Sequence, residues 1–149
     1  MFKESKMLKV QRWALLGCVV VTAVFVLAGC AAPTPVPVDQ TLGMTDSFKF
    51  EPATVIAEPG AQVTLHLKNN GVLVHSFYLM EKDYQAEAPF DDTDKEHIIQ
   101  DIEVPEIQPG ATQDVIFTAP TEPGTYEFIC GTPGHLEGGM TGTLEVSGP

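Results

Sequence analysis

Four side chains dominate the chemistry open to this 149-residue sequence: His75, Cys130, His135 and Met140. The last three are spaced Cys130-x4-His135-x4-Met140, with His75 well upstream. Thiolate and thioether sulfurs are soft donors suited to Cu(I), and imidazoles satisfy Cu(II) as well. Two His, one Cys and a weakly bound Met form the donor set of one-electron copper exchange. Taken singly, an inward His, a buried Cys or a Met is most often a packing residue. Together, with three of the four on one loop, they point to a metal.

Rival chemistries fit less well. A structural zinc site uses four Cys or His ligands and rarely accepts Met. A binuclear copper centre would need a second cysteine in the loop. A Cys130/His135 nucleophile lacks an evident orienting third residue. Four protein donors leave no open position for a substrate, so no catalytic residue is assigned. His66 alternates with Val63, Leu65 and Leu67 and is expected to face solvent. His97 sits in an acidic connection, and neither is read as a ligand. Met44 and Met80 are read as packing or linker residues.

The elements that must position the four residues read as β throughout. Short runs rich in Val, Phe, Thr and Tyr recur between Gly and Pro punctuation. The expected strands are 45–50, 53–58, 62–68, 72–80, 112–118, 124–130 and 141–147, which suggests an all-β sandwich. Period-two alternation puts His75 on the face of Leu73, Phe77 and Leu79, pointing inward. It puts Cys130 on the face of Tyr126 and Phe128, at a strand end. The Gly/Pro-rich loop 131–140 follows, and the chain then resumes alternation with Leu144 and Val146 inward. The segment 81–108 is too long for a hairpin and reads as a crossover between sheets, with a helical turn near 93–100.

The N-terminus has the layout of an export signal: Lys3, Lys6, Lys9 and Arg12 precede an uncharged apolar run ending at Cys30. Leu27-Ala28-Gly29-Cys30 resembles the lipobox of bacterial lipoproteins, which implies a signal peptide over 1–29 and a lipidated Cys30. The competing reading is an uncleaved transmembrane anchor, and either leaves the remainder outside the cytoplasm. Residues 30–44, with alternating prolines, read as a tether, and 45–149 as the single folded domain. Cys18 and Cys30 fall in the export segment, so Cys130 is the only cysteine of that domain and an intramolecular disulfide is impossible there. A lone thiol in an oxidising compartment calls for burial, a metal or a reactive role.

Beyond the signal, nineteen acidic residues face four lysines and no arginine, a net charge of about −15. Such acidity excludes nucleic-acid partners and favours a basic one. The densest acidic stretch, 81–106, is either a solvated loop or a docking surface.

Over nearly the whole of that domain the chain resembles the cupredoxins, the plastocyanin, azurin and auracyanin group of blue-copper proteins. The Cys130-x4-His135-x4-Met140 pattern with upstream His75 carries the resemblance. Phe48-x-Phe50-x-Pro52, Gly60, the Val63 to Leu67 alternation, Asn69-Asn70-Gly71 and Thr141-Gly142-Thr143-Leu144 extend it. The resemblance implies a Greek-key β-sandwich of seven to eight strands holding one type 1 copper. It implies Cys130 as thiolate ligand, His75 and His135 as imidazole ligands, and Met140 as axial ligand. His135 is then the edge through which electrons pass, within an apolar patch that includes Leu136 and Pro133. Many relatives carry Asn beside the upstream histidine, where it ties the ligand loops together. Here Ser76 follows His75, and either Ser76 or Asn70 is expected to supply that bonding.

The implied function is a monomeric, lipid-anchored one-electron carrier on the extracytoplasmic face of a bacterial membrane, periplasmic or at the cell surface. Its expected partners are membrane redox complexes or c-type cytochromes, at least one with a basic docking surface. The alternative is a copper-binding or copper-delivery lipoprotein.

Overall fold

In Gln62–Asn69, Val63, Leu65 and Leu67 are buried while Thr64, His66 and Lys68 are partly or wholly exposed. Alternation of this kind can bury one face only as a strand lying on a second layer. The computed structural model describes residues 34–148 and builds that second layer. Nine strands run in chain order: β1 (Val38–Thr45), β2 (Lys49–Glu51), β3 (Thr54–Ala57), β4 (Gln62–Asn69), β5 (His75–Lys82), β6 (Ile98–Ile107), β7 (Thr112–Thr118), β8 (Gly124–Ile129) and β9 (Thr141–Val146). One short helix, α1 (Asp92–Lys95), precedes β6. One sheet has the order β2-β1-β4-β7 and the other β3-β9-β8-β5-β6. The pairs β1–β4 and β3–β9 are parallel, and the rest are antiparallel.

Between the sheets lies the core, centred on three rings. Phe50 meets Phe128 edge-on at 5.1 Å between centroids and Phe77 at 6.2 Å, while Phe77 and Phe128 are tilted at 5.4 Å. Edge-to-face and tilted contacts match the aromatic quadrupole, so the trio adds directional preference to plain apolar burial. Phe77 and Phe128 each lie two residues along their strand from a residue expected to bind metal, His75 and Cys130. The core therefore fixes the register of both.

The all-β sandwich expected from the sequence is present, with four differences in detail. Residues 38–44 are strand rather than tether: Leu42 and Met44 are fully buried, because β1 pairs in parallel with β4 from Val38↔Val63 to Met44↔Asn69. The expected strand 45–50 is interrupted by a turn in which the Phe48 N–H donates to the Thr45 carbonyl, and pairing resumes at Lys49. The expected crossover contains β6, which pairs with β5 at the sheet edge. The helical turn is there, but shorter and earlier than 93–100, as α1 capped by Asp91. The signal segment, Cys30 and residues 30–33 of the tether lie outside the described residues.

His66 faces outward as expected, yet it is not idle. Its Nδ1 lies 2.6 Å from Asp114 Oδ1 on β7 and its Nε2 3.3 Å from Asp39 Oδ1 on β1, so one ring bridges three strands. Both nitrogens can donate only when the ring is protonated, and the Asp114 hydrogen bond raises its pKa above the ordinary 6.5. A raised folded-state pKa contributes stability that is fully present below the unfolded value and is lost as pH rises through the folded one. The melting-temperature gap between wild type and His66→Gln is therefore expected to be widest near about pH 5 and to narrow towards about pH 8. Thermal melts across that range check it, and a gap that widens with pH would contradict the bridge.

Candidate metal centre

Two strand ends and one loop build the site. β5 begins at His75, whose side chain is fully buried on the Phe77 face, as the alternation requires. β8 ends at Ile129, so Cys130 enters the core just past the last ladder pair, its N–H donating to the Met140 carbonyl. The loop from 131 to 140 closes on itself. The His135 N–H donates to Thr132 O, Gly138 N–H to Gly134 O, Gly139 N–H to Leu136 O and Met140 N–H to His135 O. Gly134 and Gly139 sit at φ +85° and +83°, a conformation that side-chain-bearing residues adopt only with strain. With its carbonyls and amides so occupied, the loop holds His135 and Met140 in fixed relation to Cys130.

His75 Nδ1, Cys130 Sγ and His135 Nδ1 converge. The two Nδ1 atoms are 3.2 Å apart, Sγ lies 3.3 Å from His135 Nδ1 and 3.9 Å from His75 Nδ1, and all three residues are buried. Burial lowers the pKa of both histidines, and for His75 the neighbouring His135 adds to the effect. Both rings are held neutral with a lone pair to give. Three electron-rich atoms facing one another in an apolar surround repel unless a cation sits among them, and two imidazoles with a sulfur suit copper. Met140 is fully buried on the same loop and supplies the thioether. The donors present therefore fit a copper ion.

Bonds around the donors settle the question left by Ser76. Its N–H donates to Cys130 Sγ at 3.3 Å, and its Oγ accepts the Gly131 N–H at 2.8 Å. Ser76 thus ties the His75 strand to the Cys130 loop. Asn70 does not take part. Its neighbour Asn69, fully buried, donates to Leu73 O and Ile107 O and accepts the Gly71 N–H, bracing the loop that leads into His75.

The apolar surround also differs in part from expectation. Leu136 is buried in a second cluster with Met80 and Ile129, beneath Tyr78, Tyr84, Phe90 and Ile98. Pro133 is exposed two residues before His135, as expected, and Val72 and Leu73 are exposed on the approach to His75. His135 is only 5 % exposed. Phe48 packs on it at 4.7 Å between centroids, from a left-handed conformation with φ +59°. An aromatic residue there costs on the order of 1–3 kcal/mol.

His97 stacks on Tyr84 and bonds Glu81, away from the donors, while Met44 and Met80 are core residues. Sequence reasoning missed Asp46 and Phe48. The Asp46-Ser47 pair was a turn signal that could have placed both beside the site.

Comparison with known proteins agrees with this geometry. The sequence model of the copper-binding proteins of the plastocyanin/azurin family matches residues 37–147. The chain is 30 % identical over 106 residues to the copper-resistant cuproprotein CopI of Rubrivivax gelatinosus, covering 69 % of this chain and 62 % of that protein. It is 30 % identical over 104 residues to auracyanin-A of Chloroflexus aurantiacus, covering 60 % and 62 %. The chain thus spans less than two thirds of the length of either relative. Among solved structures, auracyanin A of Chloroflexus aurantiacus, a blue copper protein, superposes with a TM-score of 0.60 at 27 % identity over 73 % of this chain and 98 % of its own. Dithionite-reduced auracyanin of Roseiflexus castenholzii gives 0.62 at 23 % identity, over 75 % and 98 %.

Proposed function

The chain belongs to the copper-binding plastocyanin/azurin family, the cupredoxins, and from this we propose that it is a one-electron carrier tethered to the outer face of a bacterial membrane. The observation that carries the reading is the buried, convergent donor set of His75 at a strand end and Cys130 and His135 about a loop closed by its own hydrogen bonds. Cys130, His75, His135 and Met140 would hold the metal. Bound copper supplies a Cu(I)/Cu(II) couple. The chain's own part is to keep the donors from rearranging when charge changes. The Phe77 and Phe128 packing, the Ser76 cross-link and the self-bonded loop all serve that end, and a rigid site lowers the reorganisation that slows electron transfer. His135, on the ligand loop, is the exit to a partner, with Val72 and Leu73 as apolar contact surface.

A lipidated Cys30 with the proline-rich segment after it would confine a monomeric domain to within tether reach of one membrane. Its acidic surface favours a redox partner with a basic docking face, such as a membrane complex or a c-type cytochrome. A second reading, copper handling, draws support from the 30 % identity to a protein named for copper resistance. Burial and rigidity of the donors favour the carrier, because delivery needs ligands that an acceptor can reach and displace.

Rate separates the two. Oxidation and reduction by small redox reagents in stopped flow are expected to be fast and reversible, with copper transfer to a chelating acceptor far slower. Fast copper transfer with sluggish redox cycling would establish the delivery role instead.

A further inference from the structure

His75 Nε2 is, among the described residues, the one buried side-chain nitrogen or oxygen without a hydrogen-bond partner. When Nδ1 of a neutral imidazole gives its lone pair to a metal, the proton must sit on Nε2. That N–H is shut away from water. Facing it at 3.7 Å is Oδ1 of Asp46, in the turn between β1 and β2. At that distance the contact is electrostatic rather than a formed hydrogen bond.

Asp46 is not a loose surface acid. Its carboxylate accepts the Val72 N–H at 2.9 and 3.1 Å and the Leu73 N–H at 3.1 Å, in the loop running into His75. A side chain on Gly71 would overlap the carboxylate, so a glycine there is what permits the close approach. The charge is thus fixed on the outer side of one donor ring by bonds to that donor's own loop. Phe48, in the same turn, covers His135.

We propose that Asp46 is a positioning residue of the copper centre, a carboxylate that pairs with the outer N–H of His75, orients its Nδ1 towards the metal and biases the couple towards Cu(II). The inference rests on the copper-centre reading above. Metal-bound histidines generally hand their second N–H to a carboxylate, carbonyl or water, which fixes the tautomer and raises ligand basicity. The sign follows from charge. Reduction adds an electron, which a nearby carboxylate opposes, so removing the carboxylate favours Cu(I).

Three variants of the full chain separate charge from bracing. Asp46→Asn keeps an oxygen for the Val72 and Leu73 amides but loses the charge, Asp46→Glu keeps the charge, and Asp46→Ala loses both. At the wild-type midpoint potential, Asp46→Asn is expected to shift the Cu(I):Cu(II) ratio about tenfold towards Cu(I), equivalent to about 59 mV for one electron. Asp46→Glu should stay within about threefold of wild type. Urea melts of the metal-free proteins should place Asp46→Asn near wild type and Asp46→Ala below both, reporting the loss of bracing.

A Cu(I):Cu(II) ratio in Asp46→Asn unchanged within about twofold, whatever happens to the melts, would reduce Asp46 to a structural brace and overturn the proposal. The wild-type spectrum keeps the two readings apart. With a thiolate-to-copper band present, an unshifted Asp46→Asn sinks only the role of Asp46, while a wild type lacking that band overturns this inference together with the copper centre.

Discussion

The Cu(II)-loaded wild type is expected to show an intense visible thiolate-to-copper absorption that reductant bleaches, and Cys130→Ser is expected to abolish it. The electron paramagnetic resonance spectrum should change with it to that of an ordinary tetragonal Cu(II) site. Cys130 is the only sulfur in the convergent cluster besides the axial candidate, and Sγ lies within 3.9 Å of both imidazole Nδ1 atoms. No neighbouring thiol can take its place, since Cys130 is the one free cysteine among the described residues. Serine offers a hard oxygen with a far weaker preference for Cu(I). It is also small enough to leave the strand end intact, and its oxygen still accepts the Ser76 N–H. Metal-free melts should therefore stay close to wild type while the colour disappears. A variant that stays blue would mean that Cys130 is not the thiolate donor, and the electron-carrier reading would fall with it.

The largest stability effect is expected from Phe128→Ala. Phe128 is fully buried, meets Phe50 at 5.1 Å and Phe77 at 5.4 Å, and has Gly142 of β9 pressed against its ring. Removing a ring that three strands enclose leaves a cavity which the closed sandwich cannot easily refill. The expected loss is about 3–5 kcal/mol. Set against a total of about 5–15 kcal/mol for an ordinary domain, that is enough to lower the urea midpoint by about a fifth or more. Because Phe128 is two residues from Cys130 on the same face, the variant should also bind copper more weakly. Metal-free urea titrations check the first part, and a loss below about 1 kcal/mol would show that the three-ring cluster does not carry the core.

Much of this site was readable from the chain because its geometry is local. Cys130, His135 and Met140 share one Gly/Pro loop, and period-two alternation is enough to turn His75 and Cys130 inward. What alternation could not reveal depends on partners distant in sequence. β1 has few apolar residues and follows a run of prolines, and Leu42 and Met44 become core only through parallel pairing with β4. β6 hid behind Asp101, at φ +66°, and Pro105, both of which interrupt a strand pattern and are tolerated because β6 is an edge. Ile129 lies opposite Phe128 and Cys130 in the alternation, yet it is fully buried because the segment before β6 folds over that face. Asp46 and Phe48 were read as strand, so their turn and its reach to both histidines were invisible.

The parallel pairing of β3 with β9, Thr54 with Thr143 through Ala57 with Val146, has a consequence for biosynthesis. An emerging chain completes His75 long before Cys130, which follows 55 residues later. The strand that anchors the far end of the ligand loop comes last of all. Until β9 seats between β3 and β8, neither the loop nor the second sheet is closed, and contacts so distant in sequence form late in folding. The intact metal pocket therefore appears only once the whole domain has been made and closed. Chains that stall or are clipped before Thr141 lack the strand that pairs with both β3 and β8, so the loop carrying three of the four donors is closed only in finished molecules.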